Sequence, residues 1–307
     1  MTSGKTAVAL GNFDGLHIGH RQVLKNVLSF KNEGLLPYVL LFDEHPLTVV
    51  TGKAPKEIMQ DELKSEMLTE LGIGEFVIPF REIMEMSAET FVRDVLKEKL
   101  NAGAVCCGYN YRFARGGNAD SAVLAELCEK YGIKTAVCGE IDFKNEPVSS
   151  TRIRKLLEDG EIEEANKMLA VPFSYRLIVT EGDKRGHILG APTINQKFPD
   201  NFAVPKFGVY VSETEIDGEK FRAITNIGVR PTVDDKTLLS ETHIIGFSGD
   251  LYGKAVKTSL LSYIRPEKKF DSLTELSEQI KKDIEAGRRT VSADNSGSAV
   301  PTDKSSR

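Results

Sequence analysis

Residues 11–20 read Gly-Asn-Phe-Asp-Gly-Leu-His-Ile-Gly-His and directly follow a short apolar run, Ala7-Val8-Ala9-Leu10. A buried strand, a glycine-rich turn and a helical pattern beginning near Ile18 succeed one another. Such a passage aims backbone N–H groups and a helix N-terminus at one place, which suits an anion such as phosphate. His17 and His20 lie three apart and share a face on a helical first turn. Each can donate a hydrogen bond to a phosphate oxygen, and neither needs to be a proton carrier. Gly11, Gly15 and Gly19 let the backbone approach a ligand where a Cβ would clash. The plainer alternative is a tight turn carrying two surface histidines.

Three more segments could join this site. Phe42-Asp43-Glu44-His45-Pro46 and Gly108-Tyr109-Asn110-Tyr111-Arg112-Phe113 each follow an apolar run. Val148-Ser149-Ser150-Thr151-Arg152-Ile153-Arg154 opens a helical pattern. Hydroxyls and an arginine at a helix start are a good place for a triphosphate. Taken singly, the hydroxyls could cap a helix and Arg152 could pair with a surface carboxylate.

The second half has different chemistry. Gly182-Asp183-Lys184-Arg185-Gly186 is a polar glycine loop leading into Leu189-Gly190-Ala191-Pro192-Thr193-Ile194-Asn195. Thr193 and Asn195 offer neutral oxygens two residues apart, suited to holding a metal and phosphates. Further along stand Asn226-Ile227-Gly228-Val229-Arg230-Pro231-Thr232, Glu241-Thr242-His243 and Asp250-Leu251-Tyr252-Gly253. Glu241 alone would read as an exposed strand carboxylate, and Gly182 and Gly186 as turn glycines.

The elements that must position these residues alternate through the first half. Strands are expected at Thr6–Leu10, Tyr38–Phe42, 76–80, Ala104–Gly108 and Lys134–Cys138, and helices at 20–31, 56–71, 88–100 and 121–131, with Ser87 as an N-cap. Alternation of this kind predicts an α/β domain with a doubly wound parallel sheet, its ligands beyond the carboxyl ends of the strands. From Ser174 the pattern turns β-rich. Strands at 175–180, 208–216, 220–226, 242–247 and 255–263, with an Asp217-Gly218 hairpin turn, predict a small antiparallel barrel. A terminal amphipathic helix is expected over 272–288 and a disordered polar tail from about 290. The expected division is 1–172, 173–289 and 290–307.

The 307 residues are 40% hydrophobic and 28% charged, enough for about two domains with cores. The net charge of −5 argues against a broad nucleic-acid footprint. No apolar run approaches a membrane span, and no leader pattern is visible, so a cytoplasmic protein without membrane or nucleic-acid partners is expected. Cys106, Cys107, Cys128 and Cys138 include no Cys-x-x-Cys pair and read as reduced core thiols.

Gly-Asn-Phe-Asp-Gly-x-His-x-Gly-His resembles the signature of the nucleotidyltransferase superfamily that includes class I aminoacyl-tRNA synthetases, and its wording resembles the FAD synthetase branch. The motifs from about 174 to 287 resemble riboflavin kinase, in order and spacing. Together the two halves resemble the bacterial bifunctional riboflavin kinase/FAD synthetases. The resemblance implies ATP, riboflavin and FMN as substrates and Mg²⁺ as cofactor. It implies that His17, His20 and Arg152 stabilise phosphate charge during adenylyl transfer, and that Glu241 is the base for riboflavin phosphorylation. It implies ligand contacts at Gly11, Phe13, Asp14, Gly15, Gly19, Asn110, Ser149, Ser150 and Thr151. In the kinase half it implies contacts at Gly182, Lys184, Gly186, Pro192, Thr193, Asn195 and Arg230, with Thr193 and Asn195 on the metal. Asn110, Ala114 and Ala191 depart from the residues common in the family. The rivals are another nucleotidyltransferase and a flavin-binding protein without turnover.

Overall fold

The computed structural model describes residues 4–181, 193–231, 236–270 and, of 272–285, all but 273, 276 and 280, with the side chains of Arg230, Pro231 and Lys236 left out. Two compact units emerge. One comprises Met1–Lys155, Lys167–Val171 and Asp200–Ala203, the other Leu156–Asn166, Pro172–Pro199 and Val204–Arg307.

The first unit is built on five strands: β1 (Thr6–Leu10), β2 (Leu36–Phe42), β3 (Gly74–Ile78), β4 (Ala102–Gly108) and β5 (Lys134–Cys138). Their order is β3-β2-β1-β4-β5, and every pair is parallel. Successive side chains on a strand face opposite ways. Ala7 and Ala9 therefore join one core with Val23, Leu24 and Val27, while Val8 and Leu10 join a second with Phe91, Val92 and Leu124. Helices α1 (Ile18–Ser29) and α2 (Asp61–Glu70) supply the first layer. A π-helix (Phe91–Lys99) and α3 (Ser121–Lys130) supply the second. The cysteines are divided between the cores, Cys106 and Cys138 in one and Cys107 and Cys128 in the other, all buried and unbridged. Burial pushes the thiols of Cys106 and Cys107 up to about 12, so they act as packing groups.

Some boundaries differ from those the sequence predicts. The helix expected from residue 56 starts at Asp61. The preceding N–H groups have tertiary partners instead: Glu57 donates to the Asn201 carbonyl, and Ile58 and Met59 donate to the Asp14 carboxylate. The strand expected at 76–80 lies at Gly74–Ile78, because Pro79 follows and Phe80–Ile83 coils into a helical turn. Ser87 caps as expected, its Oγ accepting from the Thr90 N–H at 3.1 Å, but most of the following helix is π-type.

The second unit is a closed antiparallel barrel of β6 (Phe173–Thr180), β7 (Thr193–Lys197), β8 (Gly208–Ile216), β9 (Glu219–Pro231), β10 (Lys236–Ile244) and β11 (Ala255–Arg265). The order around it is β6-β7-β10-β9-β8-β11. Closure leaves no open sheet edge. Asp217 and Gly218 both take positive φ, 51° and 84°, as the two-residue hairpin between β8 and β9 requires. β7 is absent from the sequence reading, and β10 begins and ends earlier than the 242–247 expected. Inside the barrel, hydroxyls satisfy one another: Tyr175 with Ser240 at 2.6 Å, Ser212 with Thr225 at 2.7 Å, and Thr225 with Thr242 at 2.9 Å. Helical residues lie within 274–285, where buried Asp283 receives the Arg265 guanidinium through both oxygens, at 3.2 and 2.7 Å.

Candidate active sites

In the first unit the chain leaves β1 through a strained loop. Phe13, Gly15 and Leu16 all have positive φ, 51°, 81° and 43°. Burial of the Phe13 and Leu16 side chains holds that path. A Cβ on Gly15 would stand 3.0 Å from Ile58 and 3.1 Å from Leu169.

The loop delivers His17 as the N-cap of α1. Its Nδ1 accepts from the His20 N–H at 3.3 Å. That bond leaves the His17 proton on Nε2, so the outer nitrogen is a donor. The two imidazoles stack with centroids 3.6 Å apart, and the Phe13 ring meets His20 edge-on at 5.3 Å. Gly19 is needed here, since a Cβ would come within 3.2 Å of the His17 ring. Burial pushes His17 down to about 4, and burial followed by the charges of His17 and Lys64 holds His20 well below the ordinary histidine value. Both rings are neutral near pH 7 and serve as hydrogen-bonding groups. His20 Nδ1 is buried without a partner among the described residues.

The Ser149–Arg154 segment is tied to this loop. Ser150 Oγ donates to the Asp14 carbonyl at 3.1 Å, and Arg154 pairs with the Asp14 carboxylate. Asp14 is thus engaged by Arg154 and by the N–H groups of Ile58 and Met59. It shapes the site from within the protein. Ser149 Oγ accepts from the Arg152 N–H at 3.2 Å at the start of α4 (Ser150–Asp159), while Thr151 is exposed. Arg152 turns the other way. Its guanidinium donates to the carbonyls of Phe143, Glu146 and Pro147 and pairs with the Glu146 carboxylate at 3.3 Å. Asn110 is exposed in the turn after β4. Further on, Tyr111 stacks on Phe113 at 5.8 Å, and Ala114 takes φ 64° and ψ 177°, a conformation nearly reserved for glycine.

A cavity of about 360 Å³ opens beside the signature loop, with Gly11, Asn12, Asp14, His45, Glu57 and Lys64 in its wall. The histidine of Phe42-Asp43-Glu44-His45-Pro46 faces this space and also caps a helical turn, its Nδ1 accepting from Leu47 N–H at 3.1 Å. Arg154 and Lys64 are the residues that the motif reading passed over. Arg154 stood in a motif already quoted, whereas Lys64 lies on a helix that the sequence marks only by its apolar spacing.

In the barrel, Ser240 and Thr242 face the interior, so Glu241 and His243 lie on the opposite face of β10. Thr193 pairs in register with His243 and Asn195 with Glu241, and Asn226 of β9 flanks Glu241 on the other side. Three strands thus bring Asn195, Glu241 and Asn226 into one row. Asn195 is only 6% exposed, and its Oδ1 has no partner among the described residues. A cavity of about 220 Å³ opens beside Thr193, walled also by Thr242, Ile244, Phe247, Asp250, Leu251 and Tyr252. Gly182, Lys184, Gly186 and Pro192 lie outside the described residues, as does the side chain of Arg230.

The FAD synthetase family model matches residues 1–152, and the riboflavin kinase model matches residues 169–291. A bifunctional riboflavin kinase/FMN adenylyltransferase from Listeria monocytogenes is 32% identical over 90% of this chain and 89% of its own length. The protein of that name from Escherichia coli is also 32% identical, over 90% of each chain. The chain belongs to the bifunctional riboflavin kinase/FMN adenylyltransferase family. A solved Streptococcus pneumoniae structure described as a macrolide-efflux protein is 28% identical, with a TM-score of 0.84 over 94% of this chain and 95% of that one. Among the described residues no helix is long and apolar enough to cross a membrane.

The neutral, donor-bearing histidines at the start of α1 belong to the half matched by FAD synthetase. The row of Asn195, Glu241 and Asn226 belongs to the half matched by riboflavin kinase.

Proposed function

We propose that this chain converts riboflavin to FAD in two ATP-dependent steps, with residues 173–289 carrying phosphorylation and residues 1–172 carrying adenylyl transfer. The observation that supports it best is the register of Asn195 against Glu241, which sets a buried acceptor oxygen beside a carboxylate on a family-matched barrel.

In the first step Glu241 takes the proton of the riboflavin 5′-hydroxyl. A bond forms from that oxygen to the γ-phosphorus of ATP, and the bond to the β-phosphate oxygen breaks, releasing ADP and FMN. The orphaned Asn195 Oδ1 and the Thr193 hydroxyl fit Mg²⁺, a hard cation that takes neutral oxygens together with substrate phosphates. When bound, the ion neutralises phosphate charge. The cavity walled by Phe247, Leu251 and Tyr252 suits the nucleotide base.

In the second step an FMN phosphate oxygen attacks the α-phosphorus of a second ATP, and pyrophosphate leaves as FAD forms. No proton transfer and no covalent enzyme intermediate are needed. His17 and His20 donate N–H groups to the phosphates, joined by the N-terminus of α1 and the loop backbone. Gly11 and Asn12 line the receiving cavity, with Phe13, Gly15 and Gly19 holding the loop and the imidazoles in shape. Ser149, Ser150 and Thr151 offer hydroxyls at the start of α4. Arg152 contributes by exchanging the 143–147 carbonyls for phosphate oxygens. Asn110 lies on the loop that would border the flavin. The substrates are small molecules, and the working place is the cytoplasm, with no nucleic-acid partner.

The test is a time course with riboflavin, ATP and Mg²⁺, the flavins being separated by chromatography. FMN first and FAD after it is the expected result. FMN that accumulates without FAD would leave a kinase with a silent N-terminal unit. Stoichiometric flavin binding without conversion would favour a binding protein.

A further inference from the structure

The N-terminal cavity poses an electrostatic problem. Six carboxylates line it, those of Asp14, Asp43, Glu44, Glu57, Asp61 and Glu75. A nucleotide triphosphate and a flavin phosphate are polyanions and would be repelled from such a wall. The arginines around the signature are engaged elsewhere: Arg21 donates to the Leu16 carbonyl at 3.0 Å, Arg152 to the carbonyls of Phe143, Glu146 and Pro147, and Arg154 pairs with Asp14. Among the described residues lining the cavity, Lys64 is the sole lysine or arginine.

Lys64 is also unusual in itself. It is only 9% exposed, although a lysine is rarely buried without a firm partner. Its ammonium meets Asp61 at 2.7 Å, one turn earlier on α2, but the Asp61 side chain is 85% exposed. An i,i+3 pair whose carboxylate stands in solvent contributes little and is easily exchanged. The lysine is therefore held at the cavity by its helix and only loosely by its partner. Its charge reaches His20 of the signature and His45 of the Phe42–Pro46 segment, and it opposes the upward push of burial on Glu57.

We infer that Lys64 is a phosphate-binding cation of the N-terminal cavity, its ammonium exchanging Asp61 for a phosphate of the incoming nucleotide. The inference rests on adenylyl transfer taking place in this unit. Asp61 then acts as a placeholder that keeps the buried ammonium compensated until the phosphate arrives.

The test uses the full chain with three substitutions, Lys64→Met, Lys64→Arg and Asp61→Asn. Pyrophosphate, the leaving group of adenylyl transfer, is titrated by calorimetry, and FAD and FMN formation are followed in the same preparations. Lys64→Met is expected to weaken pyrophosphate binding and raise the KM for ATP in FAD formation at least about tenfold. Riboflavin phosphorylation should be unchanged. Lys64→Arg should stay within about threefold of the parent chain, because charge is what is required. Asp61→Asn should bind pyrophosphate as well as the parent chain or more tightly, whereas a merely structural ion pair would make it resemble Lys64→Met. Unchanged pyrophosphate affinity in Lys64→Met overturns the inference, as does an Asp61→Asn variant equally impaired. A parent chain that makes no FAD would count against adenylyl transfer in this unit, while the pyrophosphate titration still decides the role of Lys64.

Discussion

At the scale of single residues, the proposed chemistry divides between the units. His20→Ala should lower FAD formation from FMN by about 10²-fold or more while sparing FMN formation, as loss of one preorganised donor does. Glu241→Ala should lower riboflavin phosphorylation by about 10²-fold or more and leave FMN adenylylation intact. Both rates measured on each folded variant check this, and a joint loss in either one would refute separate sites. The histidines also set a pH dependence. His17 is pushed down to about 4 and His20 falls well below its ordinary value, so folding keeps both neutral. Between about pH 4 and 6.5 the unfolded chain binds more protons at these positions than the folded one. Their contribution to stability is present above that window and is lost as pH falls through it. Urea unfolding of the N-terminal unit should show a falling midpoint from pH 6.5 to 4. Over pH 6.5–8 histidine titration should leave FAD formation flat.

At the scale of elements, two places carry a measurable consequence. Ala114 holds φ 64° and ψ 177° in the loop after β4. Ala114→Gly should remove strain and raise stability by about 1 kcal/mol, the relief exceeding the added chain entropy. Thermal denaturation reads it directly, and a destabilised variant would mean that the loop path is relaxed. In the barrel, Asp283 holds Arg265 through two hydrogen bonds and also accepts from Gln279 at 2.9 Å. Asp283→Ala leaves a largely buried guanidinium unpaired and should cost about 3 kcal/mol in urea unfolding of that unit. Both features escape sequence reading for the same reason. A dihedral angle and a long-range pair depend on where distant segments come to rest. The fold of α2 is a further example. Its apolar spacing at Leu63, Met67, Leu68 and Leu71 is legible, but its start is not, because Asp14 and Asn201 claim the N–H groups that would have opened it at 56.

At the scale of the whole molecule, the units do not divide at one point along the chain. The barrel unit includes residues 156–166. There Asn166 donates to the Leu260 carbonyl at 2.9 Å and accepts from the Phe173 N–H at 2.7 Å, while Lys206 N–H donates to the Leu157 carbonyl at 2.8 Å. A fragment beginning at 156 should therefore be more stable than one beginning at 173, by about 3 kcal/mol for three hydrogen bonds. Parallel urea melts of the two fragments check it, and equal midpoints would show that the segment is dispensable. The sequence by itself determined the two architectures, the signature at the end of β1 and the family, because periodicity and motif spacing are local properties of the chain. It also marked Thr193 and Asn195 in one motif and Glu241 in another. Only the tertiary structure put Asn195 beside Glu241 and Asn226, turned Arg152 toward the 143–147 carbonyls and Arg154 toward Asp14, and set Lys64 in an acidic wall. Those outcomes depend on strand register and on competition among charges for partners, and neither is settled until remote segments meet.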